Sequence, residues 1–280
     1  MIHRTSRWLA SCWCLTAIVV TACQAGWCRA AEAVADRPRL FVHYMPWFAA
    51  PPVSPSWGWH WTMDSRDPDR VVAGRPEIAA RHHPLIGPYD SLDESVVEYH
   101  LLLMRLAGVD GLIIDWYGRG DYRDHAFIHR AAELVVARAD AIGLEFAVCY
   151  EDRTIPDLVA AGVVLPEKAV DHAAAEIGWL RDHWFPLPGH AAVEGRPVLL
   201  SFGHRGLSDD QWTDVLSLVG APVAYFSQGQ RRAAAIGGFD WPAPQRGEAA
   251  AAEFRQRARD WPACIPVAYP RFDDYYADAG

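Results

Sequence analysis

The stretch DGLIIDWYGRG, residues 110–120, decides the fold of this 280-residue chain. Its aliphatic residues follow one another without the alternation of a half-exposed strand, which is typical of a parallel strand covered on both faces. The stretch then ends on an acid and two aromatic residues, Asp115, Trp116 and Tyr117. Parallel α/β barrels build their sites from such strand ends, so the stretch predicts both a sheet and a site.

Segments of the same kind recur along the chain. The predicted strands are 39–48, 109–116, 144–152, 196–203, 221–229, a weak sixth at 236–241, and 264–274. Helices are predicted from Ser91 to Gly108, with Ser91 and Glu94 as a capping box, and over 125–142, 169–183, 208–218 and 247–260. Unalternated strands separated by helices predict an α/β fold, a (β/α)₈ TIM-type barrel with about seven of its eight strands.

A dinucleotide-binding sheet is the alternative architecture. It is disfavoured because HYMPWF, residues 43–48, contains no glycine for a phosphate-binding turn. Seven strands without closure would leave two open sheet edges. We therefore expect a barrel domain over residues 37–280 that is C-terminally incomplete, with the last barrel strand lying beyond it.

Composition restricts the class of partner. Aromatic residues are frequent, with 13 Trp, 10 Tyr and 10 Phe, and proteins use indole faces to stack on sugar rings. The formal net charge is −9, and no segment carries the basic footprint of a nucleic-acid-binding protein. We therefore expect an oligosaccharide or polysaccharide partner and no nucleic acid.

Residues 1–31 are typical of an export leader. Arg4 and Arg7 precede an apolar stretch over 8–22, and small residues follow around Ala30. The segment VTAC, residues 20–23, also resembles a lipobox in which Cys23 would carry lipid, so secretion and lipid anchoring both stay open. Either reading predicts an exported protein that is periplasmic, extracellular or anchored to the membrane through Cys23.

Cysteines and histidines predict neither a cofactor nor a metal site. Outside the leader only Cys149 and Cys264 remain, and whether they pair is open. His82 and His83 are adjacent, so in an extended segment their side chains would point to opposite sides. The absence of a GxSxG motif from the sequence also disfavours a serine hydrolase.

Acids beside aromatic residues recur where the predicted strands end. Asp115 precedes Trp116 and Tyr117, and Glu151 and Asp152 end the third strand. Carboxyl groups hydrogen-bond sugar hydroxyls or move protons, while the adjacent rings stack on the pyranose face. An acid in such a position can instead cap a helix or pair with a buried arginine.

Five motifs carry a family resemblance. In order they are VHYMPWF (42–48), WGWHW (57–61), HHPLIGPYDSLD (82–93), GVDGLIIDWYG (108–118) and CYED (149–152). They resemble the glycoside hydrolase family 99-like and family 71-like proteins, in particular the endo-α-mannosidase group. The resemblance implies a barrel that hydrolyses α-linked glycans without a cofactor, using two carboxylic acids.

The resemblance covers residues of the substrate pocket but not the principal catalytic acids of the family. The catalytic glutamates of the family lie in a Trp-Asn-x-Trp-x-Glu-Gly-type segment, which these 280 residues do not contain. Glu151 and Asp115 remain as the predicted catalytic pair. The predicted substrate-binding residues, from the motifs and the strand ends, are Tyr44, Trp47, His60, Trp61, Trp116, Tyr117, Asp152 and Tyr269.

Two functions follow from these patterns. The first is hydrolysis of α-linked glycans, α-mannan among them, by an exported glycoside hydrolase-like barrel. The alternative is a non-catalytic carbohydrate-binding lipoprotein or pseudoenzyme that lacks the catalytic glutamate pair. A structural or protein-interaction module is disfavoured, because it would have little use for aromatic residues at so many strand ends.

Overall fold

Seven parallel strands frame the molecule in a computed structural model, which describes residues 37–203, 205–241, 246–269 and 275. The strands are β1 Phe41–Tyr44, β2 Gly111–Trp116, β3 Glu145–Tyr150, β4 Arg196–Ser201, β5 Ala224–Gln228, β6 Gly237–Phe239 and β7 Ala263–Ile265. Each strand pairs in parallel with the next one along the chain. The predicted α/β barrel architecture with seven strands is therefore confirmed.

Helices connect the strands on the outside of the sheet. They are α1 Glu94–Leu106, α2 His125–Ile142, α3 Thr154–Ala160, α4 Ala169–His183, α5 Asp209–Val219 and α6 Gly247–Arg257. Shorter elements are the one-turn helix Trp59–Thr62, the 3₁₀ turns Pro166–Lys168 and Ala258–Asp260, the strand pair Val71–Val72 with Arg75–Pro76, and Ala192–Val193 against β4. The predicted helices all form, and α3 is an addition that the sequence patterns did not predict.

Two helix ends agree with the local sequence signals that predicted them, and a third does not. Ser208 caps α5 in a capping box with Gln211, and Gly143 ends α2 in the left-handed conformation. The predicted capping box of α1 was wrong: the N-cap is Asp93, which accepts from the backbone N–H of Ser95 and Val96. The hydroxyl of Ser91 instead accepts from the backbone N–H of Phe48, tying the loop after β1 to the start of α1.

Alternate residues of each strand pack into two separate layers. The layer inside the barrel consists of one face of the sheet and includes Ile113, Cys149, Leu200, Phe226 and Phe239. The layer between the sheet and the helices takes the intervening residues and is larger; it includes Leu112, Ile114, Trp116, Phe146 and Tyr150. This period of two assigns every strand-end residue either to the barrel interior or to the helix layer.

One close approach requires a glycine. A Cβ at Gly111, the first residue of β2, would lie 2.5 Å from the carbonyl oxygen of Glu145 on β3 and 2.6 Å from the ring of Phe41. Both distances are below any real carbon contact, so a side chain here would push β2 away from its neighbours. Gly111 therefore permits the three strands that carry the candidate site to begin in close contact.

The described residues from Phe41 onward form one compact unit. The predicted leader, residues 1–31, and the predicted anchor at Cys23 lie outside the described residues. Among the described helices, none has the length and hydropathy to cross a membrane. Cys149 and Cys264 are both free thiols, the first buried inside the barrel and the second exposed on β7, which answers the question of whether they pair.

Candidate active site

Asp115 and Glu151 meet at the carboxyl ends of β2 and β3. Asp115 pairs in register with Cys149, which belongs to the layer inside the barrel, so the Asp115 side chain faces the interior. Glu151 follows Cys149 by two residues and therefore lies on the same face, and its backbone N–H continues the ladder to the carbonyl of Trp116. Both acids are buried, with relative exposures of 1% and 7%.

Burial raises the pKa of both carboxyl groups. For Asp115, burial and then the charge of Glu151 raise the pKa well above its usual value, against smaller opposing effects of Arg153 and the Trp116 backbone. For Glu151, burial raises the pKa to about 7 although Arg153, whose Nε lies 3.6 Å from the carboxyl, opposes it. Near neutral pH the pair therefore keeps at least one proton, as an acid–base pair requires.

Three of the predicted binding residues form an aromatic cluster beyond β1 and β2. The rings of Trp47 and His60 stack with centroids 4.2 Å apart at 9°, and the ring of Tyr117 meets Trp47 edge-on at 6.1 Å. His60 Nε2 lies 3.3 Å from the carboxylate of Asp124. The structure therefore brings together Trp47, His60 and Tyr117, which the sequence had separated by up to 70 positions.

Tyr44 and Trp61 lie behind this cluster and have no exposed ring face for a sugar. Tyr44 points into the helix layer, where its hydroxyl and His100 Nδ1 are 3.1 Å apart. Trp61 is 2% exposed, packs against Ala50, and donates its indole N–H to the carbonyl of Tyr89 at 2.9 Å. The structure places both side chains in the core, in positions that support the cluster, and their predicted binding of substrate stays a prediction.

Trp116 and Asp152 also lie in the helix layer. Trp116 has no exposed surface, and its indole N–H donates to His129 Nδ1 at 3.2 Å. Asp152 is fully buried and accepts hydrogen bonds from the backbone N–H of Leu207 and the indole N–H of Trp212, at 3.1 and 2.7 Å. Both side chains therefore point away from the barrel interior, which disfavours direct contact with substrate, and their predicted binding role stays a prediction.

The far side of the barrel carries an aromatic group that the sequence patterns largely missed. The ring of Tyr269, after β7, meets Trp241 at 5.9 Å, and Trp241 meets His43 at 4.9 Å and Phe202 at 5.0 Å. Burial lowers the pKa of His43 to about 4, so this imidazole is neutral at physiological pH. Only Tyr269 was predicted; the signal for Trp241 was the Asp-Trp pair that ends β6 as it ends β2.

No group of His, Cys, Asp or Glu side chains with the arrangement of a metal site occurs within the described part of the chain. The polar groups at the strand ends are instead carboxyls and ring nitrogens beside aromatic faces. Such a set offers proton transfer and hydrogen bonds to hydroxyl groups.

Comparison of the sequence with known proteins finds a partial match. No protein-family model matches the chain. A glycoprotein endo-α-1,2-mannosidase-like protein of Danio rerio is 27% identical over 113 residues, 36% of this chain and 25% of that protein, so the alignment spans a quarter of the relative.

Solved structures resemble the chain over a longer range. Two structures of the GH99 endo-α-mannosidase of Bacteroides thetaiotaomicron, one of them with bis-tris-propane, match with TM-scores of 0.57 and 0.59 at 16% and 15% identity. They cover 84% and 83% of this chain and 70% and 71% of theirs. A glycoside hydrolase-like protein matches at 0.51 and 12% identity, covering 68% and 67%. The predicted resemblance to the family 99 endo-α-mannosidase group is confirmed, and the chain has the barrel fold of those enzymes.

Proposed function

We propose that this chain binds α-linked glycans, with α-mannan as the substrate class, and hydrolyses them at the carboxyl ends of β2 and β3. The observation that carries the proposal is the placement of Glu151 and Asp115 on the inner face of adjacent strands. The endo-α-mannosidase names of the similar proteins support the choice of glycan. The aromatic faces beside the acids support sugar binding in particular.

The two acids have different positions and therefore different roles. The side chain of Glu151 keeps 9% exposure, whereas Asp115 is 1% exposed and lies one layer deeper. Glu151 is thus the group that reaches the glycosidic bond, donating a proton to the leaving oxygen when protonated and assisting the nucleophile when ionised. Asp115 lies beneath it, where burial and the charge of Glu151 hold its pKa well above the usual value.

A second function, glycan binding without catalysis, is favoured by one observation. Asp115 is too deeply buried to touch a sugar directly, so of this pair of carboxyls Glu151 alone faces the site in this conformation. A glycoside hydrolase with two acids needs both within reach of the scissile bond. The same aromatic residues could also bind sugar in a protein without catalytic activity. Hydrolysis and binding alone therefore predict similar glycan affinity, and only the first predicts turnover.

The deciding experiment measures binding and product release in parallel on a panel of α-mannans and α-glucans. Hydrolysis is expected, with a loss of about a hundredfold in E151Q because that variant removes the proton-transferring group. Glu145 begins the same strand at the opposite end, so E145Q is the matched control and should keep full activity. Binding without turnover would establish the second function, and neither binding nor turnover would refute both.

Export of the protein is proposed from the sequence of residues 1–31. The basic start, the apolar stretch and the small residues that follow support a leader, and VTAC supports lipid attachment at Cys23. Expression in a bacterial host should place the wild type outside the cytoplasm. With a lipid anchor, C23S would move it from the membrane fraction to the soluble exported fraction, whereas an unchanged distribution would indicate plain secretion.

A further inference from the structure

Asp124 occupies a helix-capping position without capping the helix. It is the N-cap residue of α2, yet its side chain makes no hydrogen bond to the first turn. Asp93, at the same position of α1, does cap, accepting from the N–H of Ser95 at 2.9 Å. Aspartate is favoured at N-caps because of that bond. The Asp124 carboxylate is instead turned toward His60 Nε2, 3.3 Å away.

The contact fixes the electrostatics of Asp124. Burial by itself raises the pKa of this carboxyl, but the opposing effects, of which the hydrogen bond from His60 is the largest, outweigh it and lower the pKa below the usual value. Asp124 is therefore ionised at neutral pH and accepts the proton that His60 carries on Nε2. In a neutral imidazole the other ring nitrogen, Nδ1, is then an acceptor.

Two ring nitrogens beside this contact lack partners. His60 Nδ1 and Trp47 Nε1 are both buried, and among the described residues neither has a hydrogen-bond partner. His60 is only 5% exposed, and its ring stacks on Trp47 with centroids 4.2 Å apart. One nitrogen accepts and the other donates, and a hydroxyl group does both. Buried polar groups are normally paired, so this pair points to a hydroxyl-bearing ligand.

We propose that Asp124 is a positioning residue of the sugar site. Its carboxylate holds His60 so that the imidazole supports the ring of Trp47 and offers Nδ1, next to the Trp47 N–H, to a hydroxyl of the bound sugar. The inference rests on the proposed glycan-binding function. It adds to that function a residue, Asp124, that no sugar needs to touch, and it explains why a favourable helix cap is left unmade.

The first test needs no sugar. The ¹⁵N shifts of the His60 ring, assigned with H60Q, report which nitrogen carries the proton. The wild type should show one fixed tautomer with the proton on Nε2. D124A should show shifts averaged between the two tautomers, whereas D121N, an exposed acid three residues away in the same loop, should match the wild type. A fixed Nε2–H tautomer in D124A would overturn the positioning role.

The second test measures affinity for mannan-type oligosaccharides by calorimetry. D124A should bind about tenfold more weakly because its supporting contact is lost. D124N, which keeps a side-chain oxygen able to accept the same bond, should lose less, and D121N should bind like the wild type. Unchanged affinity in D124A overturns the inference. If the wild type binds no glycan, the proposed function fails, and the ring shifts alone decide whether Asp124 positions His60.

Discussion

The same dipeptide, Asp-Trp, ends two strands of this barrel with opposite results. At the end of β2, Asp115 points into the interior and Trp116 packs in the helix layer. After β6, Trp241 packs against the interior cluster, next to His43. Asp240 lies on the other face, where burial raises its pKa against the smaller lowering effects of the Trp241 backbone and of Arg257 from α6. At the end of β2 the acid faces the interior, whereas after β6 the indole does.

The difference is a matter of strand register. Side chains alternate between the two faces, so a shift of one residue at the strand end moves an entire pattern to the other side. The interior layer takes Ile113 on β2 and Phe239 on β6, which stand two residues before Asp115 and Trp241. Residue type alone therefore does not assign a strand-end residue to the site; its distance from an inward-facing residue does.

Of the variants that test this comparison, W116A has the largest expected effect on stability. Trp116 has no exposed surface and lies against Trp179, Trp184 and Tyr150, so its removal opens a large cavity. We expect the free energy of unfolding to fall by about 3–5 kcal/mol, as for other buried Trp-to-Ala changes. Urea denaturation followed by circular dichroism measures the loss.

Glycan affinity separates this structural role from direct binding. Folded W116A, measured below its unfolding transition, should bind glycans like the wild type, and W116F should recover part of the stability. A large loss of affinity in the still-folded W116F would place the indole at the site and contradict the assignment to the helix layer.

The second test is D152A, on the helix-facing side of β3. Its carboxylate accepts from the indole N–H of Trp212 at 2.7 Å, and a Cβ on Gly206 would lie 2.3 Å from Asp152 Oδ1, so acid and loop are closely packed. Loss of the acceptor leaves a buried N–H unpaired, and we expect a cost of about 1–3 kcal/mol. Calorimetric melting of D152A checks this; an unchanged melting temperature would contradict it.

The interior acids should make stability depend on pH. The folded pKa of Glu151 is raised from 4.5 to about 7, so its contribution is fully present below about pH 4.5 and is lost as the pH rises through 7. E151Q removes this loss. The variant should therefore become more stable than the wild type as the pH rises from 4.5 to 7, by about 1–3 kcal/mol.

This prediction concerns the difference between variant and wild type. Burial lowers the pKa of His43 and His190 to about 4, and both then favour folding as the pH rises, which opposes the effect of Glu151 in the total. The histidines are the same in E151Q, so they cancel in the difference. E145Q should follow the wild-type curve, and an E151Q curve parallel to it would contradict the raised pKa.

Much of the fold was predictable because its signals are local. Apolar runs, Gly143 at the end of α2 and the capping box of Ser208 act within a few residues, and every predicted strand and helix formed. The site was predictable only in part. Asp115, Glu151 and Tyr117 lie at strand ends as expected, Trp47 and His60 lie in the loop after β1, and the catalytic and binding roles of all five remain predictions.

The placement of several other residues depends on strand register, which local sequence patterns do not specify. Tyr44, Trp116 and Asp152 were predicted to bind substrate from the motifs and the strand ends, but each side chain lies in the helix layer. Asp124 was missed because its contact with His60 joins loops that are 64 residues apart and have no common periodicity. Such contacts follow from the tertiary arrangement of the β1 and β2 loops and leave no local pattern.

The smallest expected change in stability, and the sharpest test of the register argument, is W241A. Trp241 is only partly buried at the interior side, so its removal should lower the free energy of unfolding by about 1 kcal/mol, far less than W116A. Its effect on glycan affinity should be the larger one, about tenfold, because the indole packs on the interior face with Tyr269 and His43, where an aromatic ring can stack on a sugar. Calorimetric titration and urea denaturation of both variants give the comparison directly. If W241A destabilised the protein as much as W116A and left affinity unchanged, the two Asp-Trp pairs would be equivalent, and the inversion of faces would have no functional meaning.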